Sequence, residues 1–513
     1  MIDWLNIFKQ KDGGDRGQYF PIKTYAQNNQ SLPSFEEAKN LLPAPIIEKN
    51  PDFIKMYWKS WELTFAHLRK VKPNSQFVSD YLDEAFSDNI FQWDTIFMLM
   101  FARYGQKTFP FIRSLDNFYA RQHKSGYICR EISEINGNDF VFLGRKYTIN
   151  PPLFSFIEME NFKLTGNIKR LKIVLPSLEK YAKWLEQPGN LENSNSRYWE
   201  KYGRWSKESK HNLYWNTNLG SGMDNLIREG NGHVDMSSQM VIMYKNLALI
   251  CQKLGLFDKE KIYQNKADEI SNRINQWCWN ENDGFYYDIN HNGEQIKYKT
   301  INAFWTLLAG VPNKNQAQKL VQHLKNSKTF WRLFVFPALA ADQKNYSKNG
   351  DYWQGGVWAP TNYMVIKGLE NYNYFDLAYK TSRKYLQGLS KVFEKTNTLW
   401  ENYAPENFAP GQPAKKNFVG WTGLGPIALL IENILGFKYD YITNTLTWHI
   451  KRKDYHGLKN MYFNQLNISA IFEPTNPASI KILTNKKFKL IVYYNHQKKK
   501  YLINQKNKKI ILK

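Results

Sequence analysis

Apolar residues recur at helical spacing along most of the chain, from about residue 53 to residue 437. Leu178, Tyr181, Ala182 and Leu185, for example, occupy positions that share one face of a helix. Twelve such stretches, separated by Gly, Pro and Asn, are predicted to begin near residues 53, 94, 109, 153, 169, 236, 258, 300, 315, 358, 375 and 424. Twelve helices in succession indicate six helical hairpins, which would form an (α/α)6 barrel if closed into a ring. An open α-solenoid is the alternative, although no repeated sequence motif accompanies the helices.

The pattern changes after residue 437 to short alternating runs of β-branched residues. The runs DYITNTLTWHI, NQLNISAIFE, ASIKILTN and FKLIVYYN predict the strands of a small C-terminal β-domain. The expected organisation is therefore mainly α, with an N-terminal extension at 1–50, the barrel at 51–437 and the β-domain at 438–513. Two local features are also predicted, a capping box in SFEE (34–37) and a β-hairpin that turns at Asn292-Gly293.

Composition and charge narrow the classes of partner. Aromatic residues make up 16% of the 513 residues, with 17 Trp and 32 Tyr, and such side chains offer an apolar face and a polar edge that suit sugars. Filling of a large helical core is the alternative use of these residues. The formal net charge is +24, which invites a nucleic-acid or anionic partner. The basic residues are scattered rather than gathered in one stripe, and the basic tail HQKKKYLINQKNKKIILK fits a solvated strand face. We therefore expect no nucleic-acid partner.

Cysteine usage and the N-terminal sequence bear on cofactors and location. Cys129, Cys251 and Cys278 lie far apart, without the Cys/His spacing of a metal site, so no metal or cofactor is expected. The N-terminal MIDWLNIFKQKDGG lacks a basic region followed by an apolar run, and no apolar run is long enough to span a bilayer. A cytoplasmic protein without a membrane partner is expected. A periplasmic or secreted protein is the alternative if a signal peptide has been removed.

Five segments carry the candidate chemistry. They are FQWDTIFM (91–98), NLGSGMDN (218–225), DYWQGGVWAPTNY (351–363), WENYAP (400–405) and FVGWTGLGP (418–426). Asp224 and Glu401 are predicted to lie in loops, and two carboxylates amid aromatic residues suit glycoside hydrolysis. One protonates the leaving oxygen, and the other attacks the sugar or activates a water. Asp94, next to Trp93, could hold ring hydroxyls, but a role as a helix N-cap is an equal alternative.

Taken together, these segments resemble glycoside hydrolase family 63, which includes processing α-glucosidases and bacterial relatives and is akin to trehalases and mannosylglycerate hydrolases. The resemblance runs from about residue 91 to residue 437. It implies that Asp224 is the general acid, that Glu401 is the general base, and that Trp93 and Asp94 line the sugar subsite. It also implies further substrate-binding residues, which are Gly222, Trp353, Gly356, Trp358, Tyr403 and Trp421. A stretch beginning NPPLFSFIEMEN resembles a family helix that starts with Gln-Pro-Pro, with Asn150 in place of the Gln.

The family mechanism is inverting, so the resemblance implies a single displacement by water at an α-glucosidic bond of an oligosaccharide or disaccharide. The two carboxyl groups should then lie roughly 6.5–9.5 Å apart, and Asp224 should stay protonated near neutral pH. Trehalase-like and glycosylglycerate hydrolase activities are the alternatives, although trehalases carry an Asp at the position of Gly355. A carbohydrate-binding module on the same scaffold is the non-enzymatic alternative. Asp235 is expected to cap the following helix, and Arg228 to form a structural ion pair.

Overall fold

The computed structural model describes residues 8–11, 16–21, 31–84, 86–142, 148–186, 211–216, 218–226, 229–504 and 506–512. Within these residues, helices dominate from residue 51 to residue 434 and strands dominate after residue 437. The α-helices are α1 (Phe35–Ala38), α2 (Pro51–Ala66), α3 (Gln92–Ala102), α4 (Ser114–Ala120), α5 (Phe154–Thr165), α6 (Ile168–Glu186), α7 (Asn218–Ser221), α8 (Val234–Lys253), α9 (Phe257–Trp277), α10 (Trp305–Ala309), α11 (Lys314–Lys325), α12 (Ala359–Asn371) and α13 (Phe375–Thr396). A π-helical segment, Gly425–Ile434, follows them.

Helical structure begins within a few residues of each of the twelve predicted positions, so the predicted helices are confirmed. The last of them is a π-helix rather than an α-helix. The capping box is also confirmed, because the Ser34 side chain accepts a hydrogen bond from the Glu37 backbone while the Glu37 carboxylate accepts one from the Ser34 backbone. None of the described helices is long and apolar enough to cross a membrane.

Buried and amphipathic helices alternate along the chain. Every residue of α3 is buried, whereas α9 buries only Ala267, Ile270 and Ile274. The inner set consists of α3, α5, α8, α10, α12 and the π-helical segment, and the short α4 between α3 and α5 is likewise mostly buried. Consecutive members of this set pack against each other, and the π-helical segment packs against both α12 and α3. The buried helices therefore form a closed cycle of contacts, with amphipathic helices outside it.

Short strands interrupt the helical region. They are β1 (Phe8–Lys11), β2 (Ala44–Ile47), β3 (Leu68–Arg69), β4 (Tyr81–Leu82), β5 (Asn89–Phe91), β6 (Glu131–Ser133), β7 (Asp139–Phe142), β8 (Trp279–Asn280) and β9 (Phe285–Tyr286). Four of them form a sheet in the order β1-β7-β6-β5, which the helical periodicity did not predict because each strand has four residues or fewer. At the predicted hairpin, a single bridge joins Ile289 to Gln295 around a turn in which Gly293 has a φ of +89°.

The C-terminal region is a pair of β-sheets, as predicted. Its strands are β10 (Phe437–Asp440), β11 (Thr445–His449), β12 (His456–Phe463), β13 (Leu466–Glu473), β14 (Ser479–Thr484), β15 (Phe488–Tyr494), β16 (Gln497–Ile503) and β17 (Asn507–Ile511). One sheet has the order β10-β11-β15-β16, and the other has the order β17-β14-β13-β12-β2. The strand β2 therefore joins residues 44–47 to a sheet more than four hundred residues later in the chain, with Ile47 opposite His456. The basic tail forms β16 and β17, whose lysines are mostly exposed.

Candidate active site

The loop that carries Asp224 follows the short helix α7 and passes over the Trp93 indole. Gly222 has a φ of +78°, and a Cβ there would lie 3.0 Å from the Trp93 ring. Position 222 therefore requires glycine for two reasons, the left-handed backbone conformation and the close approach to the Trp93 ring. A turn follows, closed by a hydrogen bond from the Leu226 backbone to Met223 O at 3.1 Å. This turn presents Asp224, which is partly buried, beside the N-terminal end of α3.

Asn225 joins the Asp224 loop to the segment 351–354. Its Oδ1 accepts a hydrogen bond from the Trp353 backbone N–H at 2.8 Å, and its Nδ2 donates to Asp351 O at 2.9 Å. The Gln354 side chain also donates to the Asn225 carbonyl. The residue next to the predicted acid therefore fixes that acid relative to the tryptophan segment.

Glu401 is buried and both of its carboxylate oxygens accept hydrogen bonds. The Tyr352 hydroxyl donates to Oε1 at 2.9 Å, and the Lys415 backbone N–H donates to Oε2 at 3.0 Å. The Trp421 indole N–H donates to the Glu401 carbonyl at 2.8 Å. These contacts hold the carboxylate in one orientation and stabilise its ionised form.

Backbone pairing fixes the Glu401 loop against the start of α12. Val357 and Tyr403 exchange two hydrogen bonds, of 2.8 and 3.1 Å, and the Glu401 backbone N–H donates to Lys415 O at 3.0 Å. Tyr403 itself turns away from the carboxylates, since its hydroxyl accepts a hydrogen bond from the Trp400 backbone at 3.0 Å and its ring packs 5.2 Å from Phe334.

The carboxyl groups of Asp94, Asp224 and Glu401 influence one another electrostatically. Burial, together with the Glu401 charge, raises the pKa of Asp224 to about 6 against the opposing effect of Arg130. Burial also raises the pKa of Glu401, opposed by the hydrogen bonds from Tyr352 and from the Lys415 backbone. The pKa of Asp94 lies well above its usual range, chiefly because the group is buried, with Glu401 and Asp224 contributing. The structure therefore brings the three predicted carboxyl groups together.

The Lys415 side chain lies close enough to the carboxyl groups of Asp94, Asp224 and Glu401 to interact with their charges. The Lys415 ammonium lies 3.5 Å from the centroid of the Phe86 ring. Burial lowers the pKa of Lys415, and this shift is opposed by four carboxyl groups, those of Glu401, Asp94, Glu84 and Asp224. Lys415 lies in the run PAKKNF, where nothing in the sequence distinguishes it from other lysines.

Tryptophans form one wall beside these groups. The indoles of Trp353 and Trp358 stack in parallel at 3.9 Å, and Trp421 lies 5.6 Å from Trp358. Trp358 Nε1 donates to Tyr352 O at 3.2 Å across a tight turn. A Cβ on Gly356 would lie 2.1 Å from that same carbonyl oxygen. Gly356 is therefore required by the turn that positions the tryptophans.

Several buried polar atoms near the carboxyl groups have no hydrogen-bond partner among the described residues. They are Asp94 Oδ1, Trp93 Nε1, Trp305 Nε1 and Asn150 Oδ1. Trp305 lies 6.2 Å from Trp93, and Asn150 Nδ2 donates to Gly220 O at 3.3 Å, so each residue contacts a predicted site segment. Buried polar groups are normally satisfied in folded proteins. Hydroxyl groups of a ligand would satisfy these.

The N-cap role predicted for Asp235 is wrong, and so is the alternative N-cap role of Asp94. Phe91, not Asp94, is the N-cap of α3, and Asp94 lies in the first turn of that helix. His233, not Asp235, is the N-cap of α8, and the Asp235 carboxylate accepts a hydrogen bond from the Met236 backbone at 2.7 Å. In both cases the aspartate lies too far into the helix to act as its N-cap. Arg228, predicted to form an ion pair, lies outside the described residues.

Sequence reasoning missed four side chains at this site, those of Tyr352, Asn225, Lys415 and Arg130. Tyr352 and Asn225 belong to segments that were singled out, so adjacency to Trp353 and Asp224 was the available signal. Arg130 donates to Glu131 at 2.8 Å and lies 5.7 Å from the Phe91 ring, two contacts that only the folded chain makes. The described residues contain no group of three or more His, Cys, Asp or Glu side chains that could hold a metal ion.

Comparison with known proteins identifies the family of the chain. The model of the mannosylglycerate hydrolase MGH1-like glycoside hydrolase domain matches residues 144–422, more than half of the chain. An uncharacterized protein of Borreliella burgdorferi is 26% identical over 428 residues, which cover 80% of this chain and 85% of that protein. The mannosyl-oligosaccharide glucosidase of Saccharomyces cerevisiae is 24% identical over 298 residues, 52% of this chain and 35% of the glucosidase.

A solved structure shares the fold. The GH63 mannosylglycerate hydrolase of Thermus thermophilus, in complex with glucose, superposes with a TM-score of 0.54 at 15% identity and covers 73% of this chain and 99% of that one. The family match includes the Asp224 loop, the tryptophan segment and the Glu401 loop. The chain therefore belongs to the mannosylglycerate hydrolase MGH1-like family of glycoside hydrolases, as its resemblance to glycoside hydrolase family 63 predicted.

Proposed function

We propose that this glycosidase is an inverting enzyme that cleaves an α-glucosidic bond in an oligosaccharide or disaccharide, with Asp224 as general acid and Glu401 as general base. The observation that carries the proposal is the difference between the two carboxyl environments. Burial and the Glu401 charge raise the pKa of Asp224 to about 6, so this group holds a donatable proton up to a higher pH than an ordinary aspartic acid. Glu401 instead accepts two hydrogen bonds that favour its ionised form.

The proposed reaction is a single displacement. Asp224 donates its proton to the glycosidic oxygen as the bond to the anomeric carbon breaks. A water molecule on the opposite face of the sugar attacks that carbon, and Glu401 takes the proton that the water loses. The new hydroxyl then has the β configuration, and Asp224 and Glu401 have exchanged protonation states. A carboxyl separation of roughly 6.5–9.5 Å would leave room for this water.

The wall of the proposed sugar subsite combines polar and aromatic groups. Asp94 Oδ1 and the Trp93 and Trp305 indole nitrogens are buried and unpartnered among the described residues, so they are available to sugar hydroxyls. The stacked Trp353 and Trp358, with Trp421 beside them, are almost completely buried, so they back the proposed subsite and hold its loops in place. Because it has no side chain, Gly222 allows the Asp224 loop to lie directly against the Trp93 ring of the proposed subsite.

We propose that the helical region is an (α/α)6 barrel. The closed cycle of six buried helical segments supports this architecture, because an open solenoid would leave its first and last helices apart. The helices α2, α4, α6, α9, α11 and α13 would form the outer layer. The proposed domains are a barrel at 51–437 and a β-domain at 438–513, with residues 1–50 as an extension that includes β2.

A glycosylglycerate is the second candidate substrate. The family model that matches this chain is that of a mannosylglycerate hydrolase, and the Thermus thermophilus enzyme of that description shares the fold over 99% of its length. Trehalose is less favoured, because Gly355 has a φ of +145° and a Cβ there would lie 2.6 Å from Ser347 O. The aspartate that trehalases carry at this position could not be accommodated without moving the backbone.

Proton NMR of the anomeric signals tests both mechanism and substrate. The panel would contain maltose, nigerose, kojibiose, trehalose, glucosylglycerate and mannosylglycerate. We expect the first product signal to be the β-anomer, with the cleaved compound identifying the substrate. An initial α-anomer would contradict the inverting mechanism. Cleavage of mannosylglycerate alone would favour the second candidate, and no cleavage of any compound would contradict the proposed substrate class.

The pH dependence of hydrolysis should show the general acid. Asp224 must be protonated to donate, and its pKa lies at about 6, so we expect kcat/KM to fall as the pH rises above about 6. The measurement is a pH profile of kcat/KM from pH 4 to 9. A profile that stays level up to pH 9 would contradict the role of Asp224.

Removal of the Tyr352 hydroxyl should shift the acidic limb of the pH profile of kcat/KM, which reports the ionisation of Glu401. In Tyr352→Phe, Glu401 loses one of the hydrogen bonds that lower its pKa, so the acidic limb should move to higher pH. We expect kcat/KM on that limb to fall about tenfold, the effect of losing one hydrogen bond to a charged group. Tyr263→Phe removes a similar bond, of 2.8 Å to Glu179 on the outer helix layer, and is the matched control. An unmoved limb in Tyr352→Phe would contradict the role of Glu401 as base.

A further inference from the structure

A cavity of about 410 Å³ lies away from the candidate active site, and the described chain lines it with charged side chains. Five of them are cationic, namely Arg103, Lys163, Lys245, Lys367 and Lys438. Three are carboxylates, namely Glu160, Glu370 and Glu432. The volume lies within the range of small-molecule sites in proteins.

The cavity lies at the opposite ends of the helices that carry the active site. Helix α3 has Asp94 in its first turn, and Arg103 follows its last residue. Trp358 precedes α12, whose last turn carries Glu370. At about 1.5 Å of rise per residue, roughly 14 Å separates Asp94 from Arg103 along the helix axis. A ligand in the cavity would therefore not touch the proposed catalytic carboxyl groups.

All three carboxyl groups of the wall are ionised. Burial opposes ionisation of Glu432, but Lys367 and Arg103 outweigh burial and lower its pKa to about 2. Burial likewise opposes ionisation of Glu160, and Lys163 and Arg103 hold its pKa well below the usual range. The pKa of Glu370 is also lowered, by Lys367 and Lys438 against the effect of burial. The wall thus combines five cationic side chains with three negative charges.

Two of the cationic groups keep unused capacity for an anion. The Lys245 ammonium donates to Ala309 O at 2.6 Å and to Gly310 O at 3.4 Å, at the C-terminal end of α10, and forms no ion pair with a carboxylate in the described part of the chain. Burial lowers the pKa of Lys245, and the charge of Asp268 opposes this shift. The Arg103 guanidinium donates to Glu160 and Glu432 through its two terminal nitrogens, while its buried Nε has no partner among the described residues.

We propose that this cavity is an anion-binding site that takes a phosphate group, either free or on a small molecule. The wall carries two more cationic than anionic side chains, so a bound anion would balance its charge. A phosphate group carries between one and two negative charges at neutral pH, with oxygens that accept several charge-assisted hydrogen bonds. Lys245 and Arg103 Nε are the donors in reach. Lys163 and Lys438, whose side chains are 40% and 33% exposed, mark the entrance.

The test uses inorganic phosphate as the probe. Thermal melting and isothermal titration of the full chain in phosphate are compared with chloride at matched ionic strength. We expect a saturable rise in Tm with phosphate and one binding event. The variant Lys245→Met should lose about tenfold or more in phosphate affinity, the effect of losing a charged hydrogen bond. Lys261→Met, on the exposed face of α9, is the matched control and should bind like the unsubstituted chain.

A variant that removes a negative charge from the wall tests the proposal independently if Lys245→Met fails to fold. Glu370→Gln removes one negative charge from the wall while keeping the shape of the side chain, so phosphate should bind at least about fivefold more tightly. Asp224→Asn should leave phosphate affinity unchanged, because its carboxyl group lies at the other ends of the helices. Equal stabilisation of Lys245→Met and the unsubstituted chain would overturn the proposal. So would the absence of any effect specific to phosphate, or weaker binding in Glu370→Gln.

Discussion

Replacement of Asp224 by asparagine is expected to lower kcat/KM for an α-glucoside by about 10²–10⁴-fold, the usual contribution of a general acid. Asparagine keeps the size of the side chain and the turn at 223–226, but its amide cannot give a proton to the glycosidic oxygen. The measurement is the steady-state rate of Asp224→Asn against the unsubstituted enzyme on the substrate identified by NMR. Turnover near that of the unsubstituted enzyme would end the assignment of Asp224.

The raised pKa of Asp224 also predicts how Asp224→Asn changes the thermal stability of the protein. A carboxyl group whose pKa is raised by folding contributes stability below its unfolded pKa, and this contribution is lost as the pH rises through about 6. At pH 7.5 Asp224 is ionised in the unsubstituted protein, and burial of this charge lowers the stability of the fold. The asparagine side chain is neutral, so Asp224→Asn should melt at the same or a higher Tm. A large fall in Tm would mean that lost activity reports unfolding instead of chemistry.

A substrate whose leaving group needs no proton distinguishes a general acid from a residue that only binds the sugar. Fluoride departs from α-glucosyl fluoride without needing a proton, so Asp224→Asn should lose far less activity on this compound than on a disaccharide. If Asp224 instead acted only by binding the sugar, the loss would be similar on both substrates. The ratio of the two losses is therefore the quantity to measure.

Replacement of Glu401 by glutamine should also lower kcat/KM by about 10²–10⁴-fold, but on α-glucosyl fluoride as well as on disaccharides. The water must still be deprotonated whichever group leaves, and a glutamine amide cannot accept that proton. The neighbouring Glu406 offers a matched control, because its carboxylate pairs with Arg332 and Tyr346 and not with Tyr352 or Lys415. Glu406→Gln should keep its turnover.

An external nucleophile tests the position of Glu401 directly. Azide attacks without first losing a proton, so it should restore turnover of α-glucosyl fluoride by Glu401→Gln. The carbon–nitrogen bond forms on the face opposite the departing fluoride, and the product should be the β-glucosyl azide. Full activity of Glu401→Gln without azide would contradict the assignment, as would an α-glucosyl azide product.

The candidate catalytic segments could be singled out before the fold because each is a short local pattern. Asp224 follows two glycines, Glu401 lies between an aromatic residue and a proline, and Trp353 and Trp358 share one segment. Their order along the chain carried the family resemblance, which the family match confirms. The cap role predicted for Asp235 and the alternative cap role of Asp94 were wrong, because a helix boundary read from sequence can err by two or three residues.

The sequence by itself determined where the helices and most C-terminal strands lie, since burial of one face imposes a period of 3.6 or 2 on neighbouring residues. It also indicated which segments are the candidates for the proposed chemistry. Only the tertiary structure brought Tyr352 and Lys415 to Glu401, and β2 to β12. It alone gathered the five cationic side chains of the cavity from α3, α5, α8, α12 and β10. The physical reason is that these contacts join residues far apart in the chain, so no local period records them.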